Sequence, residues 1–129
     1  MAGPGRRYDG FVPGRHAIDA YGNGGFRFAE MSHRGSILVL PSGVKAWAVG
    51  AAAEVTAESL RPLVEEAEAI DFVLVGTGRD ILPLPEPARR SLREAGLRVD
   101  LMQTGAAART YNILVGENRK VAAALIAVA

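Results

Sequence analysis

At 129 residues, 49% of them apolar, the chain is long enough to build one domain around its own core without metal or disulfide support. It has no cysteine, which excludes disulfide scaffolds, cysteine nucleophiles and thiolate metal sites and fits a reducing, cytoplasmic setting. The 15 basic and 14 acidic residues are dispersed and leave a net charge of +1, so nucleic-acid binding through phosphate neutralisation is not expected.

No apolar run approaches the roughly 20 residues needed to span a bilayer as a helix. The longest, residues 121–129, is far shorter. The opening MAGPGRRYDGFVPGR has two arginines but no apolar core of the signal-peptide kind after them. Residues 1–14 are predicted as a flexible arm and 15–129 as a single domain.

HAIDAY alternates, Gly22, Asn23, Gly24 and Gly25 supply a turn, and GFRFAEM resumes the period of two with Phe26 and Phe28 on one face. This predicts a β-hairpin. SILVL is a solid apolar run that ends at a turn in Pro41, Ser42 and Gly43. VKAWAV follows, with Val44, Ala46 and Ala48 on one face and Lys45, Trp47 and Val49 on the other.

At Thr56 the period changes. A helix is predicted from this cap through Ile70, with Leu60, Leu63, Val64 and Ala67 as its apolar stripe and Pro62 requiring a tolerant first turn. DFVLVGTG then reads as a strand covered on both faces. After the proline-rich ILPLPEP come a short helix ending at Gly96, the strand LRVDLM, a helix opening near Thr104, and a last strand in KVAAALIAV. Strands and helices alternate through the last two thirds, which defines an α/β class.

Two stretches carry chemistry. Gly76, Thr77, Gly78 and Arg79 follow the carboxyl end of the buried strand, where open α/β sheets bind ligands and where glycine lets backbone N–H groups form an anion nest. A tight connection that needs positive φ explains the same glycines. Ile81 stands where a dinucleotide fingerprint needs a third glycine, and the P-loop lysine and hydroxyl are missing.

The second stretch is MQTGAAARTYNILVG. With Thr104 near the N-cap, helical spacing turns Ala106, Ala107, Thr110, Ile113 and Leu114 toward the sheet and sets Arg109, Asn112 and Gly116 on another face. Tyr111 borders the packed stripe, its ring able to bury while its hydroxyl seeks a partner. Arg109 and Asn112 either project as a binding pair or tie down a neighbouring loop or turn. Gly116 or Asn118 carries the left-handed residue that ends the helix. His16 and His33 have no metal-ligand spacing, no serine sits in a G-x-S-x-G elbow, and no catalytic residue, metal or cofactor is assigned. Trp47 is core or, if it is exposed, an anchor for a protein partner.

IDAYGNGGFRF, GSILVLPSGVKAW, VLVGTGRDILPLP and MQTGAAARTYNILVGENRKVAAALI, in this order and spacing, resemble the Mth938-like family of small single-domain proteins of unknown function. That family includes a mitochondrial respiratory complex I assembly factor and an adipogenesis-associated cytosolic protein. The resemblance covers about residues 16–127, and its most specific element is the GTG turn together with Ala107, Arg109, Thr110, Tyr111 and Asn112. It implies a three-layer α/β fold with a mixed sheet of about five strands, one antiparallel to the rest, and a β-hairpin packed to one side. It also implies assembly work through contacts with another protein, peripheral to a respiratory complex rather than embedded in a membrane. Ala108 stands where family members often have cysteine, and Asn118 where glycine is usual. On this reading the partner surface comprises the 76–79 turn, the face of residues 109–112 and the edge near Trp47, and a rival reading is an anion-binding enzyme built from the turn and Arg109. Exposed hairpin strands leave self-association open as well.

Overall fold

The computed structural model describes residues 9–129. Its strands are β1 (Phe11–Pro13), β2 (Ala20–Gly22), β3 (Gly25–Phe28), β4 (Met31–Arg34), β5 (Ser36–Val39), β6 (Gly43–Trp47), β7 (Phe72–Gly76), β8 (Arg98–Met102) and β9 (Val121–Leu125). Its helices are α1 (Arg61–Glu65), α2 (Glu86–Glu94) and α3 (Thr104–Gly116).

The central sheet has the order β1-β6-β5-β9-β7-β8. β7 pairs in parallel with both β8 and β9, whereas β5 is antiparallel to β9 and β6, and β1 is antiparallel to β6. Among the five strands β5 to β9, β5 is therefore the one that runs against the rest. β7 and β9 lie at the centre because residues alternate between two apolar layers. Val73, Val75, Ala122 and Ala124 face α1, α2 and Trp47, while Leu74, Ala123 and Leu125 face α3 and the small sheet. Burying each large side chain such as Leu63, Leu74 or Leu92 favours folding by about 1.5–3 kcal/mol. The fold is thus three layers, α1 and α2, then the sheet, then α3 with β2, β3 and β4.

Several local expectations change. The hairpin is a three-stranded sheet, β2-β3-β4, because the chain reverses at Ala29 and Glu30, whose φ angles are 51° and 61°. Phe26 and Phe28 still bury one face of it. The helix expected over 56–70 is broken into a 3-10 turn at Glu58–Leu60, the short α1 and a second 3-10 turn at Ala67–Ala69. Pro62 lacks the N–H that would continue the first turn into the second. Thr56 does act as a cap, its Oγ1 accepting from Ser59 N at 3.0 Å.

Residues 1–8 of the predicted arm lie outside the described residues, but Phe11–Pro13 are not an arm. They form β1, which makes the sheet six strands wide. Gly96 ends α2 as expected, with φ +80° and the Leu97 N–H donating to Leu92 O at 3.0 Å. α3 ends at Gly116, and the left-handed residue that follows it is Asn118, φ 62°.

Candidate functional site

The site begins where β7 ends against the first turn of α3. A Cβ on Gly76 would stand 2.8 Å from Thr104 Cα, so glycine here permits strand and helix to touch. Gly78 has φ +110°, a conformation other residues rarely adopt. Between them Thr77 is buried, and its N–H donates to Met102 O at 2.9 Å. Its hydroxyl donates to Asp80 O at 2.6 Å and accepts from Leu82 N at 3.0 Å, which closes the turn on itself.

Thr104 completes the joint. It is the first residue of α3 rather than its cap, and its buried hydroxyl accepts from Gly78 N at 3.0 Å while donating to Ile126 O at 2.7 Å. Thr104 N in turn donates to Gly78 O at 2.9 Å, and Gln103 Nε2 donates to Arg79 O at 3.0 Å. The expected anion nest therefore has two of its backbone donors, Thr77 N and Gly78 N, already engaged by protein acceptors.

The sheet-facing stripe of α3 is Thr104, Ala107, Ala108 and Tyr111, at i, i+3, i+4 and i+7. Of the expected stripe, Ala107 and Leu114 do pack against the core, whereas Ala106 and Thr110 are only half-buried and Ile113 is 61% exposed. Tyr111 lies at the centre of the packed face with no exposed surface, and its hydroxyl has no well-formed hydrogen bond. Burial raises its pKa above the usual tyrosine value, opposed by the guanidinium of Arg15, its polar neighbour. Asn112 turns to the segment before β2. Its Oδ1 accepts from Ile18 N and its Nδ2 donates to Ile18 O, both at 2.8 Å.

Trp47 is buried, with its Nε1 donating to Ser59 O at 2.9 Å, so it holds the 3-10 turn against the sheet and offers no exposed edge. Thr110 is half-buried. Of the residues singled out in the sequence, the fold gathers three around one depression of about 410 Å³: Gly78, Arg79 and Arg109. Both arginines are exposed, and their guanidinium groups have no hydrogen-bond or ion-pair partner among the described residues.

Sequence reasoning missed Tyr21, Gln103 and Gly105, which line the same depression. The Tyr21 phenol lies against the Cα of Gly105, in the space a Cβ would need. On its other side Tyr21 borders a second, larger depression of about 470 Å³ that includes Arg27 and Arg34. The G-A-A run after Thr104 was a signal that something approaches the helix closely there. No described helix is long and apolar enough to cross a membrane.

Residues 18–126 match the family described as proteins of unknown function DUF498/DUF598. The mouse NADH dehydrogenase [ubiquinone] 1 alpha subcomplex assembly factor 3 is 33% identical over 109 residues, which cover 84% of this chain and 59% of that protein, so the chain spans well under two thirds of that relative's length. A crystal structure of a Bartonella henselae protein described as an outer membrane protein superposes with a TM-score of 0.86 at 50% identity, covering 91% of this chain and 98% of that one. The solution structure of a Bordetella pertussis Mth938-like domain superposes with a TM-score of 0.74 at 32% identity, over 87% of this chain and 85% of that one.

Proposed function

The chain belongs to the DUF498/DUF598 family of proteins of unknown function, and from that premise we propose that it is a non-enzymatic assembly factor for a respiratory complex. The observation that carries this reading is the likeness of nearly the whole domain to the mouse complex I assembly factor. It acts in the cytoplasm by holding another protein, peripheral to the complex being built.

The surface best suited to that partner is the one around Tyr21, where Arg79 and Arg109 lie on one side and Arg27 and Arg34 on the other. Four arginines in the two depressions that share Tyr21, on a chain whose net charge is only +1, favour an acidic segment of the partner, because complementary charge steers encounter and rejects wrong partners. The 76–79 turn shapes this surface through backbone geometry, and Thr104 keeps it in place.

The test is deletion of the gene in its own organism, with the assembled complex I measured by native gel. The deletion is expected to lower the complex, the wild-type chain to restore it, and an R79E/R109E double variant to fail while melting at the wild-type temperature. A normal level of complex I after deletion, together with affinity capture that recovers no specific partner, refutes the proposal.

A further inference from the structure

Strand β8 closes the central sheet on one side, pairing with β7 and with no other described strand. Thr77 N donates to Met102 O, so Met102 turns its backbone groups toward β7. By alternation Asp100 and Arg98 do the same, while Val99 and Leu101 turn their N–H and C=O groups outward. No hydrogen bond from the described residues meets those outward groups.

The two edges of the sheet differ. β1 is three residues long and ends in Pro13, a short edge that resists strand addition. β8 has five residues and neither proline nor glycine. Beside it a depression of about 290 Å³ has an apolar floor of Leu84, Leu92, Leu97, Val99 and Leu101 and is also lined by Arg89 and Arg93.

The charges on β8 are self-complementary. Arg98 and Asp100 are exposed, flank Val99 on one face of the strand, and have no ion pair among the described residues. If two copies of β8 pair antiparallel about a two-fold axis at Val99, each Arg98 stands opposite Asp100 of the second copy, and the two Val99 residues exchange both backbone hydrogen bonds. On the opposite face Leu97 of each copy meets Leu101 of the other, next to the apolar depression. Moving the axis to Asp100 would set two carboxylates directly opposite one another, and moving it to Leu101 would place Asp100 opposite Met102 and leave the charges unpaired.

We propose that the chain forms a two-fold homodimer by antiparallel β8 to β8 pairing in the Val99 register, joining two six-stranded sheets into one. A closed two-fold contact uses the same patch on both copies.

Sedimentation velocity through the micromolar range, with far-UV circular dichroism to confirm folding, tests this. The wild-type chain is expected to sediment at twice the chain mass. R98D and D100R each place like charges opposite one another twice and are expected to weaken the dimer by about tenfold or more. The R98D/D100R double variant restores opposite charges and is expected to recover the dimer. Mixing R98D with D100R is expected to give a heterodimer tighter than either variant alone, a result that a nonspecific loss of solubility or fold cannot produce. A wild-type chain that stays monomeric throughout the range, or a dimer insensitive to these reversals, overturns the proposal.

Discussion

Replacing Asn112 separates a structural role from a binding role. Its carboxamide makes both an acceptor and a donor bond to the backbone of Ile18, each 2.8 Å long, and so substitutes for a strand partner. Asn112→Ala removes two hydrogen bonds and leaves a half-buried N–H and C=O unsatisfied, a loss of about 1–3 kcal/mol. Ile18 is itself 4% exposed in the layer under α3. Release of its segment would add up to about 1.5–3 kcal/mol as the side chain reaches water. Asn112→Asp gives a sharper signature, since the introduced carboxylate keeps the acceptor but faces Ile18 O with a second oxygen. Its protonated form can donate to that oxygen, which holds the folded-state pKa above the unfolded value of about 3.9. The folded state then binds the proton at pH values where the unfolded chain does not, so the stability deficit of this variant shrinks as pH falls through the folded-state pKa toward about 4. Urea unfolding followed by circular dichroism, near neutral pH and near pH 4, measures both effects. An Asn112→Ala variant within about 0.5 kcal/mol of wild type would refute the clamp.

Tyr111→Phe keeps the buried ring and deletes a hydroxyl without a well-formed hydrogen bond, so it is expected to leave stability unchanged or raise it by up to about 1 kcal/mol in urea titrations. Because burial raises the pKa of Tyr111, the unfolded chain loses its proton first. Stability is full below about pH 10 and falls as pH rises from there through the raised folded-state value, a loss the phenylalanine variant should not share. Gly105→Ala inserts a methyl group where the Tyr21 ring lies, so its helix-propensity gain of up to about 1 kcal/mol should appear only when Tyr21→Ala is also present. A double-mutant cycle that comes out additive would show that the two residues do not meet.

The parts of the fold that could be read from sequence are those in which one local signal decides the outcome. β7 and β9 are continuous apolar runs, and Gly96 marks the end of α2 by the left-handed conformation that glycine adopts without steric cost. The reversal between β3 and β4 was hidden because it uses Ala29 and Glu30, neither a residue that ordinarily announces positive φ. β1 was hidden for another reason. Its three residues pair with Gly43, Val44 and Lys45, partners thirty or more positions away, and a segment so short carries no period of its own.

The run of Arg109, Thr110, Tyr111 and Asn112 shows why the site was only partly legible. Successive helical residues step about 100° around the axis, so four in a row point in four directions. Arg109 points into the depression, Thr110 is half-buried, Tyr111 is in the core and Asn112 reaches across to Ile18. What looks in sequence like one polar cluster is four separate contacts. Of these, Arg109 is the one charged and exposed polar side chain, and the residue across the depression comes from a different element, Arg79 in the turn after β7, a turn that the Thr104 hydroxyl holds through Gly78 N. That hydroxyl looks in sequence like an ordinary helix cap, and its role depends on Ile126 and Gly78, which only the sheet brings together. On the proposed function the partner meets the junction between strand and helix, so Thr104→Ala is expected to weaken affinity capture of that partner as surely as Arg109→Ala.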